Sequence, residues 1–254
     1  MPKPTILFVP GALTAPSCYD YVVPLLQEQG YSTVQTPLPS NNPKDPSAHT
    51  AETDGQALLQ EALLPLLGEG RDVVVFAHSF GATAMSGAKS SVTRAEREAR
   101  GESGGVVGVI YISCCLVPDG QDQITYLGGA LPDCVKVDTP SPGLFVFDPI
   151  IPFLFNDAEP AAAEECAKSH LPHAIQPLAT PVSAPLWTDS ALEGRRAYLK
   201  TTLDTLFPPE AQQMFIDNSQ VAWNVVEVDG GHEAFITKPK LVADAVVRIV
   251  ECWI

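Results

Sequence analysis

Residues 72–81 read DVVVFAHSFG, a β-branched apolar run that ends at a serine between small residues. The run is typical of a strand buried on both faces, as in a parallel sheet. Ala77-His78-Ser79-Phe80-Gly81 then matches the small-x-Ser-x-Gly pattern of a sharp strand-to-helix turn, in which small flanking residues let backbone segments approach closely. Such a turn strains its serine and exposes the hydroxyl at the carboxyl edge of the sheet. Ser79 is therefore the candidate nucleophile.

Strand and helix patterns alternate on both sides of this segment. Short apolar or β-branched runs predict further strands at Thr5–Val9, Ser32–Gln35, Val106–Ile112, Arg196–Lys200 and Trp223–Val228. Pairs of apolar residues that recur every four positions predict helices over 58–67 and 241–250. The alternation favours a doubly wound, mostly parallel α/β sheet flanked by helices.

Residues 117–190 interrupt this alternation with many prolines and an irregular apolar run over 143–155. We interpret 1–116 and 191–254 as the core and 117–190 as a lid insertion whose underside lines a pocket. Phe153 and Phe155 of the run are then candidate substrate contacts. An ordinary loop-rich part of the core is the alternative interpretation.

Composition limits the partners and the compartment. The 254 residues carry a net charge of −15, which disfavours binding to nucleic-acid phosphates. The apolar runs are shorter than the roughly 20 residues that cross a bilayer, and the N-terminus lacks a signal-peptide layout. We predict a cytoplasmic protein with no membrane span that acts on a small apolar molecule, with a homodimer as a possible assembly.

The cysteines show no metal-binding or disulfide pattern. No Cys-x-x-Cys pair occurs among the six, so buried free thiols are expected, with no metal site and no cofactor. The six are Cys18, Cys114, Cys115, Cys134, Cys166 and Cys252.

A nucleophilic serine needs a base, and the sequence has only five histidines. His232 follows the last predicted strand in a glycine-rich loop, from which an imidazole can reach the serine turn. His78 is expected to pack or make a structural hydrogen bond, because neighbouring side chains in a sharp turn point apart. His49 lies in a polar loop. His170 and His173 lie in the insertion, where we expect surface exposure, with ligand contact as the alternative.

The base in turn needs an acid to orient it. Asp204 follows a predicted strand, which places its carboxylate at the same sheet edge and gives the chain order Ser, Asp, His. Asp189 and Asp217 do not directly follow strands, and Asp229 and Glu227 lie very close to the histidine in sequence. Asp204 is the preferred acid.

An oxyanion site is expected in the glycine turn after the first strand. The backbone amides of Ala12 and Phe80 are the predicted donors, and each such donor typically contributes about 3–4 kcal/mol to transition-state stabilisation. Gly11 and Leu13 on the same turn are candidate substrate contacts. The turn lacks the glycine spacing of a dinucleotide site, and Pro10 removes a donor that a phosphate loop would use.

With these residues in order, the chain resembles the α/β-hydrolase superfamily. It looks most like the branch of plant methyl-ester esterases and hydroxynitrile lyases, with fungal and bacterial homologues. Residues 7–12 resemble the branch's opening strand and oxyanion turn, although histidine is common where Pro10 stands. Residues 198–204 resemble its aspartate segment, and residues 155–157 resemble a lid element of fungal members.

The resemblance also bears on the reaction. Plant-type lyases carry a lysine after the histidine and a threonine in the oxyanion turn, where this chain has Glu233 and Gly11, as on the esterase side. Glu233 is expected to face solvent, although a carboxylate close to His232 would raise the pKa of that histidine.

Three hypotheses about function follow. The first is a serine hydrolase that cleaves an ester or lactone of a small apolar molecule through an acyl-enzyme. The second uses the same triad as a base for C–C cleavage, decarboxylation or cyclisation of a polyketide-like metabolite. The third is a non-catalytic ligand-binding protein.

Overall fold

The computed structural model describes residues 3–87 and 91–254. Met1 and Pro2, which belong to the stretch where the sequence predicts no signal peptide, lie outside the described residues. The strands are β1 (Thr5–Val9), β2 (Thr33–Gln35), β3 (Asp72–His78), β4 (Gly105–Ile112), β5 (Val135–Val137), β6 (Leu144–Phe147), β7 (His173–Ala174), β8 (Arg196–Thr201) and β9 (Asn224–Val228).

The helices alternate with these strands along the chain. They are α1 (Val23–Glu28), α2 (Ala51–Ala57), α3 (Leu64–Gly68), α4 (Gly81–Ala84), α5 (Arg94–Ala99), α6 (Gln123–Tyr126), α7 (Ile151–Leu154), α8 (Pro160–Ala167), α9 (Pro209–Asn218), α10 (Ala234–Thr237) and α11 (Pro239–Glu251). Short 3₁₀ segments cover Pro16–Tyr21, Pro46–Ala48, Gln176–Ala179, Leu186–Thr188 and Ser190–Leu192.

Six strands form one parallel sheet in the order β2-β1-β3-β4-β8-β9. The predicted doubly wound α/β sheet is confirmed, and each of its strands lies where the sequence predicts one. The chain runs outward from β1 to β2 and then crosses to β3 on the other side of β1. The connection after β1 therefore leads to one side of the sheet, and the connection after β3 leads to the other. Open α/β sheets bind ligands at such a point, beside the carboxyl ends of the strands.

The two predicted helices differ in detail from the sequence pattern. The region 58–67 is divided, with a π-helical segment Leu58–Leu63 between α2 and α3. The division falls just before Pro65, which has no N–H to donate to the preceding turn. In α11 the predicted apolar face is buried, but Leu241 is 46% exposed and lies on the solvent side.

Side chains on both faces of the sheet form the core. In β1, Leu7 and Val9 belong to one buried cluster, and Ile6 and Phe8 belong to the other. The first cluster includes residues of α2, α3 and the insertion, and the second includes residues of α1 and α11. The ring of Phe8 lies 5.1 Å from that of Phe76 between centroids. Full burial of such a ring contributes about 1.5–3 kcal/mol.

The segment between β4 and β8 contains more regular structure than its sequence suggests. It contains a small antiparallel sheet in the order β5-β6-β7, together with α6, α7 and α8. Phe145, Leu178 and Leu186 of this segment are buried in the same cluster as β1 and β3. The segment therefore shares the core of the sheet, and its role as a lid stays a prediction.

The cysteines agree only in part with the sequence expectation of buried free thiols. All six cysteines are free thiols and five are buried, but Cys252 is exposed, so burial was wrongly predicted for it. Within residues 3–87 and 91–254, no helix has the length and apolar character needed to cross a membrane. The same residues contain no cluster of three or more His, Cys, Asp or Glu side chains arranged to hold a metal ion.

Candidate active site

The turns after β1 and β3 are in direct contact. A Cβ atom on Gly81 would lie 2.7 Å from the carbonyl oxygen of Val9, and one on Gly11 would lie 2.7 Å from Nδ1 of His78. Both distances are too short for a real Cβ, so glycine alone fits at these two positions without displacement. The contact brings Gly11 beside Ser79, whose Cβ would be 3.1 Å from the same added atom.

Ser79 lies between β3 and α4 with a φ of 50°, in the left-handed region that non-glycine residues rarely adopt. Its amide donates to the carbonyl oxygen of Ile112 at 3.1 Å, which extends the β3–β4 pairing into the turn. This is the strained strand-to-helix geometry expected of a nucleophile turn.

His232 lies beside the serine in the loop after β9. Its Nε2 is 3.0 Å from Ser79 Oγ, and its Nδ1 is 2.8 Å from Asp204 Oδ2. A carboxylate can only accept, so Nδ1 carries the hydrogen and Nε2 is free to accept from the serine hydroxyl. The structure thus brings together the three residues predicted as a catalytic triad, in the order that proton transfer requires.

The carboxylate of Asp204 is held from both sides. Oδ1 accepts from the amides of Leu206 and Phe207 at 2.9 and 2.8 Å, and Oδ2 accepts from Thr201 Oγ1 at 3.2 Å. Only 3% of the residue is exposed. These donors fix the carboxylate in the plane needed to orient His232.

The other acids considered from the sequence have different partners. Asp189 accepts from the Ala191 amide, Asp217 from Gln213, Asp229 from Thr202, and Glu227 pairs with Lys200.

The turn that carries Ala12, Gly11 and Leu13 is fixed by contacts outside itself. Leu13 has a φ of 66°, donates its amide to Asn41 Oδ1 at 3.0 Å, and accepts from the Leu171 amide at 2.8 Å. The Leu13 side chain is only 1% exposed and belongs to the core. Ala12 is half-buried, and Phe80 is buried with its ring 4.9 Å from that of His173.

The two phenylalanines predicted to contact substrate differ in environment. Phe153 in α7 is half-buried. Phe155 is 1% exposed in the second core cluster, and its ring lies edge-on to His170 at 5.2 Å. The structure therefore places Phe155 inside the core, where it packs against another buried side chain.

His78 has the structural role expected of it. Its Nε2 lies 3.2 Å from the carbonyl oxygen of His232, and its ring packs against those of His232 and Phe235. Burial and the neighbouring His232 lower the pKa of His78 to about 3, so its ring is neutral.

Surface exposure was wrongly predicted for three ionisable residues. The side chain of His170 is 3% exposed, and Glu233, expected to face solvent, is fully buried against it. His173 is also fully buried: its Nε2 lies 2.9 Å from Ser40 Oγ, which is also hydrogen-bonded to Asp54. Their partners are remote in sequence, so no local pattern indicates these contacts.

The model of the alpha/beta hydrolase family matches residues 6–245. The chain belongs to the alpha/beta hydrolase family. The alpha/beta hydrolase nvfD of Aspergillus novofumigatus is 28% identical over 252 residues, covering 98% of this chain and 96% of that protein. The pyrethroid hydrolase of Sphingobium wenxiniae is 24% identical, covering 97% of this chain and 87% of that protein.

A solved structure supports the same fold. The methylesterase MES16 from Arabidopsis superposes with a TM-score of 0.68 at 20% identity, covering 98% of this chain and 99% of that one. The resemblance to α/β hydrolases with plant, fungal and bacterial members is therefore confirmed. This alpha/beta hydrolase has hydrolase homologues, in agreement with the prediction of a carboxylic ester hydrolase.

Proposed function

We propose that this alpha/beta hydrolase cleaves an ester or lactone of a small apolar molecule through a covalent acyl-enzyme. The observation that supports this most directly is the unbroken hydrogen-bonded chain from Ser79 through His232 to Asp204. The relatives named for pyrethroid hydrolysis and methylesterase activity also favour ester chemistry.

In the proposed mechanism, Ser79 Oγ attacks the ester carbonyl while His232 Nε2 accepts the hydroxyl proton. Asp204 stabilises the resulting imidazolium, and the amides of Ala12 and Phe80 bind the oxyanion. The carbonyl–oxygen bond to the alcohol then breaks, and the alcohol leaves with the proton from His232. Water, deprotonated by His232, hydrolyses the acyl-enzyme and releases the acid.

The substrate-binding part of the proposal involves the segment 117–190, which would act as a lid over the triad. Gly11 lies on the turn after β1 and Phe153 is a half-buried aromatic residue of α7, and these two are the proposed contacts for an apolar acyl or alcohol group. Leu13 and Phe155 would act indirectly, by packing in the core, because their side chains are buried.

The test is labelling with a fluorophosphonate, which phosphonylates an activated serine. We expect a mass increase on the Ser79 peptide of the wild type, and neither labelling nor p-nitrophenyl ester turnover in Ser79→Ala. Ser169→Ala, at an exposed serine, is the matched control and should behave as wild type.

Two results would contradict the hydrolase proposal. A wild-type protein that never labels would remove the case for an activated serine. Ester turnover that persists in Ser79→Ala but disappears in His232→Ala would instead favour the use of the histidine as a base without an acyl-enzyme.

A further inference from the structure

Glu233, the residue after His232, lies in a buried polar cluster with Thr14 and His170. Its Oε1 accepts from Thr14 Oγ1 at 3.1 Å and lies 2.9 Å from His170 Nε2. The side chains of Glu233 and His170 are 0% and 3% exposed. Removing a carboxylate from water costs several kcal/mol unless its partners compensate. A buried charge at this position, next to the proposed base, therefore needs its partners in place.

The contacts of His170 define its charge. Its Nδ1 faces the carbonyl oxygen of Cys166 at 3.3 Å, and its Nε2 faces the carboxylate. Both partners are acceptors, so both ring nitrogens donate and the ring is an imidazolium. Burial opposes charge on both groups, but their attraction and hydrogen bond raise the pKa of His170 and lower that of Glu233. The pair is thus ionic, and its hydrogen bond is charge-assisted.

This ion pair joins three separate parts of the chain. Thr14 belongs to the turn after β1, two residues beyond Ala12, and its hydroxyl reaches the carboxylate across 219 residues of sequence. Glu233 directly follows His232. His170 belongs to the insertion, and the next residue, Leu171, donates its amide to the carbonyl oxygen of Leu13 at 2.8 Å. One carboxylate therefore links the proposed oxyanion turn, the loop of the proposed base and the insertion.

We infer that Thr14, Glu233 and His170 are positioning residues that fix the turn carrying Ala12 relative to His232. The inference rests on the proposed hydrolase function. In that mechanism an oxyanion donor and a base act on the same carbonyl group, so their separation must match the transition state. A misplacement of about 1 Å can cost on the order of 100-fold in rate, even when the altered residue touches no reacting atom.

The sharpest substitution is Thr14→Val, which keeps the shape of the side chain but removes the hydroxyl that donates to Glu233. We expect fluorophosphonate labelling of Ser79 about tenfold slower than in the wild type, a loss of about 1.4 kcal/mol. For a p-nitrophenyl ester, kcat should fall while KM stays within about twofold, because the change acts on the reacting geometry. Thr14→Ser, which restores a hydroxyl, should recover most of the rate.

Thr93→Val is the matched control. Thr93 is a buried threonine whose hydroxyl also contacts a glutamate, Glu96. It lies beside the start of β4, at the amino ends of the strands, whereas the triad lies at their carboxyl ends. It should label at the wild-type rate even if its stability falls. Equal losses in Thr14→Val and Thr93→Val would indicate general destabilisation and overturn the inference. Wild-type labelling by Thr14→Val, or no recovery in Thr14→Ser, would also overturn it.

Amide hydrogen exchange tests, independently of catalysis, whether the hydrogen bond between Thr14 and Glu233 holds the turn after β1 in place. In Thr14→Val, the amides of Leu13 and Thr14 should exchange about tenfold faster than in the wild type, because the turn loses one of its anchors. If the wild type fails to label, the hydrolase proposal fails. Amide hydrogen exchange then still tests whether Thr14 and Glu233 hold the turn in place. Unchanged protection of the turn in Thr14→Val would overturn the inference.

Discussion

At the residue scale, the proposed chemistry depends on which nitrogen of His232 carries the hydrogen. Asp204 determines this, because its Oδ2 accepts from Nδ1 and leaves Nε2 for Ser79. Its other oxygen is occupied by the amides of Leu206 and Phe207. The carboxylate is therefore matched to donors on both sides, and an amide in its place could satisfy only one of them.

Asp204→Asn should reduce turnover strongly while leaving the fold intact. The asparagine oxygen must face the amides of Leu206 and Phe207, so its NH₂ group faces His232 Nδ1. That nitrogen would then have to accept, and the hydrogen would move to Nε2, which could no longer accept from Ser79. We expect kcat for a p-nitrophenyl ester to fall about 10⁴-fold.

The matched control for this substitution is Asp217→Asn on α9, where the aspartate accepts from the side chain of Gln213. It should retain wild-type kcat. An Asp204→Asn variant with more than about a tenth of wild-type kcat would mean that Asp204 does not set the tautomer of His232.

At the scale of the elements, the close approach of two turns aligns the site. The turn after β1 and the start of α4 meet at Gly81, where an added Cβ would lie 2.7 Å from the backbone oxygen of Val9 and 3.0 Å from that of Pro10. Backbone atoms cannot rotate away as a flexible side chain can. Any side chain at this position must therefore push the two turns apart.

Gly81→Ala should both destabilise the protein and impair the site. Overpacking of this kind typically costs about 1–3 kcal/mol, and the displaced backbone carries the proposed donors of Ala12 and Phe80. We expect a lower denaturant midpoint in equilibrium unfolding and a fluorophosphonate labelling rate at least about tenfold below wild type.

Gly68→Ala provides the comparison for this glycine. Gly68 ends α3, and among the described residues an added Cβ there would meet nothing within 4 Å beyond its chain neighbours and the backbone of its own helix. Alanine favours a helix over glycine by up to about 1 kcal/mol, so stability should stay the same or rise. Equal effects of the two substitutions would show that close contact at Gly81 does not matter.

At the scale of the whole molecule, folding stability includes the cost of burying ionisable groups outside the proposed triad. Asp54 of α2 is fully buried; its Oδ1 accepts from the Ser40 amide, and its Oδ2 is hydrogen-bonded to the Ser40 hydroxyl. Burial, only partly offset by these hydrogen bonds, raises the pKa of Asp54 to about 6. The acid form can donate to Ser40, which can then donate to His173 Nε2. The folded protein therefore favours a protonated Asp54.

This shift gives a pH dependence with a defined sign. Asp54 binds its proton more tightly when folded than when unfolded, so its contribution to stability is present below about pH 4 and is lost as pH rises through about 6. Asparagine at this position mimics the neutral acid. The unfolding free energy of Asp54→Asn minus that of the wild type should therefore increase from pH 4 to pH 7, by on the order of 3 kcal/mol.

Urea unfolding of both proteins at several pH values measures this difference. Asp122→Asn serves as the control, because hydrogen bonds from Thr125 lower the pKa of Asp122 and keep it ionised above pH 5. The difference in unfolding free energy between Asp122→Asn and the wild type should not change between pH 5 and pH 7. A flat difference for Asp54→Asn over the same range would show that burial does not hold Asp54 in its acid form.

The sheet and the candidate triad could be predicted from the sequence for a physical reason. In a parallel sheet, every strand delivers the following residue to the same edge, so Ser79, Asp204 and His232 could be placed by the strands that precede them. Thr14 and Glu233 also follow strands at this edge, but no known motif pairs these residue types, so their hydrogen bond across 219 positions was not predicted. The short strands of the insertion were also missed, because β5, β6 and β7 are only two to four residues long.

The buried contacts of the insertion limit which segments could replace it between β4 and β8. Phe145, Leu178 and Leu186 help to fill the interior beneath β1 and β3, so a foreign segment grafted between β4 and β8 would leave voids unless it supplied side chains of matching volume. On the proposal that Phe153 contacts substrate, we expect single changes at this half-buried position to alter selectivity more readily than exchange of the segment. Exchange of the whole segment would require compensating changes in α2 and α3.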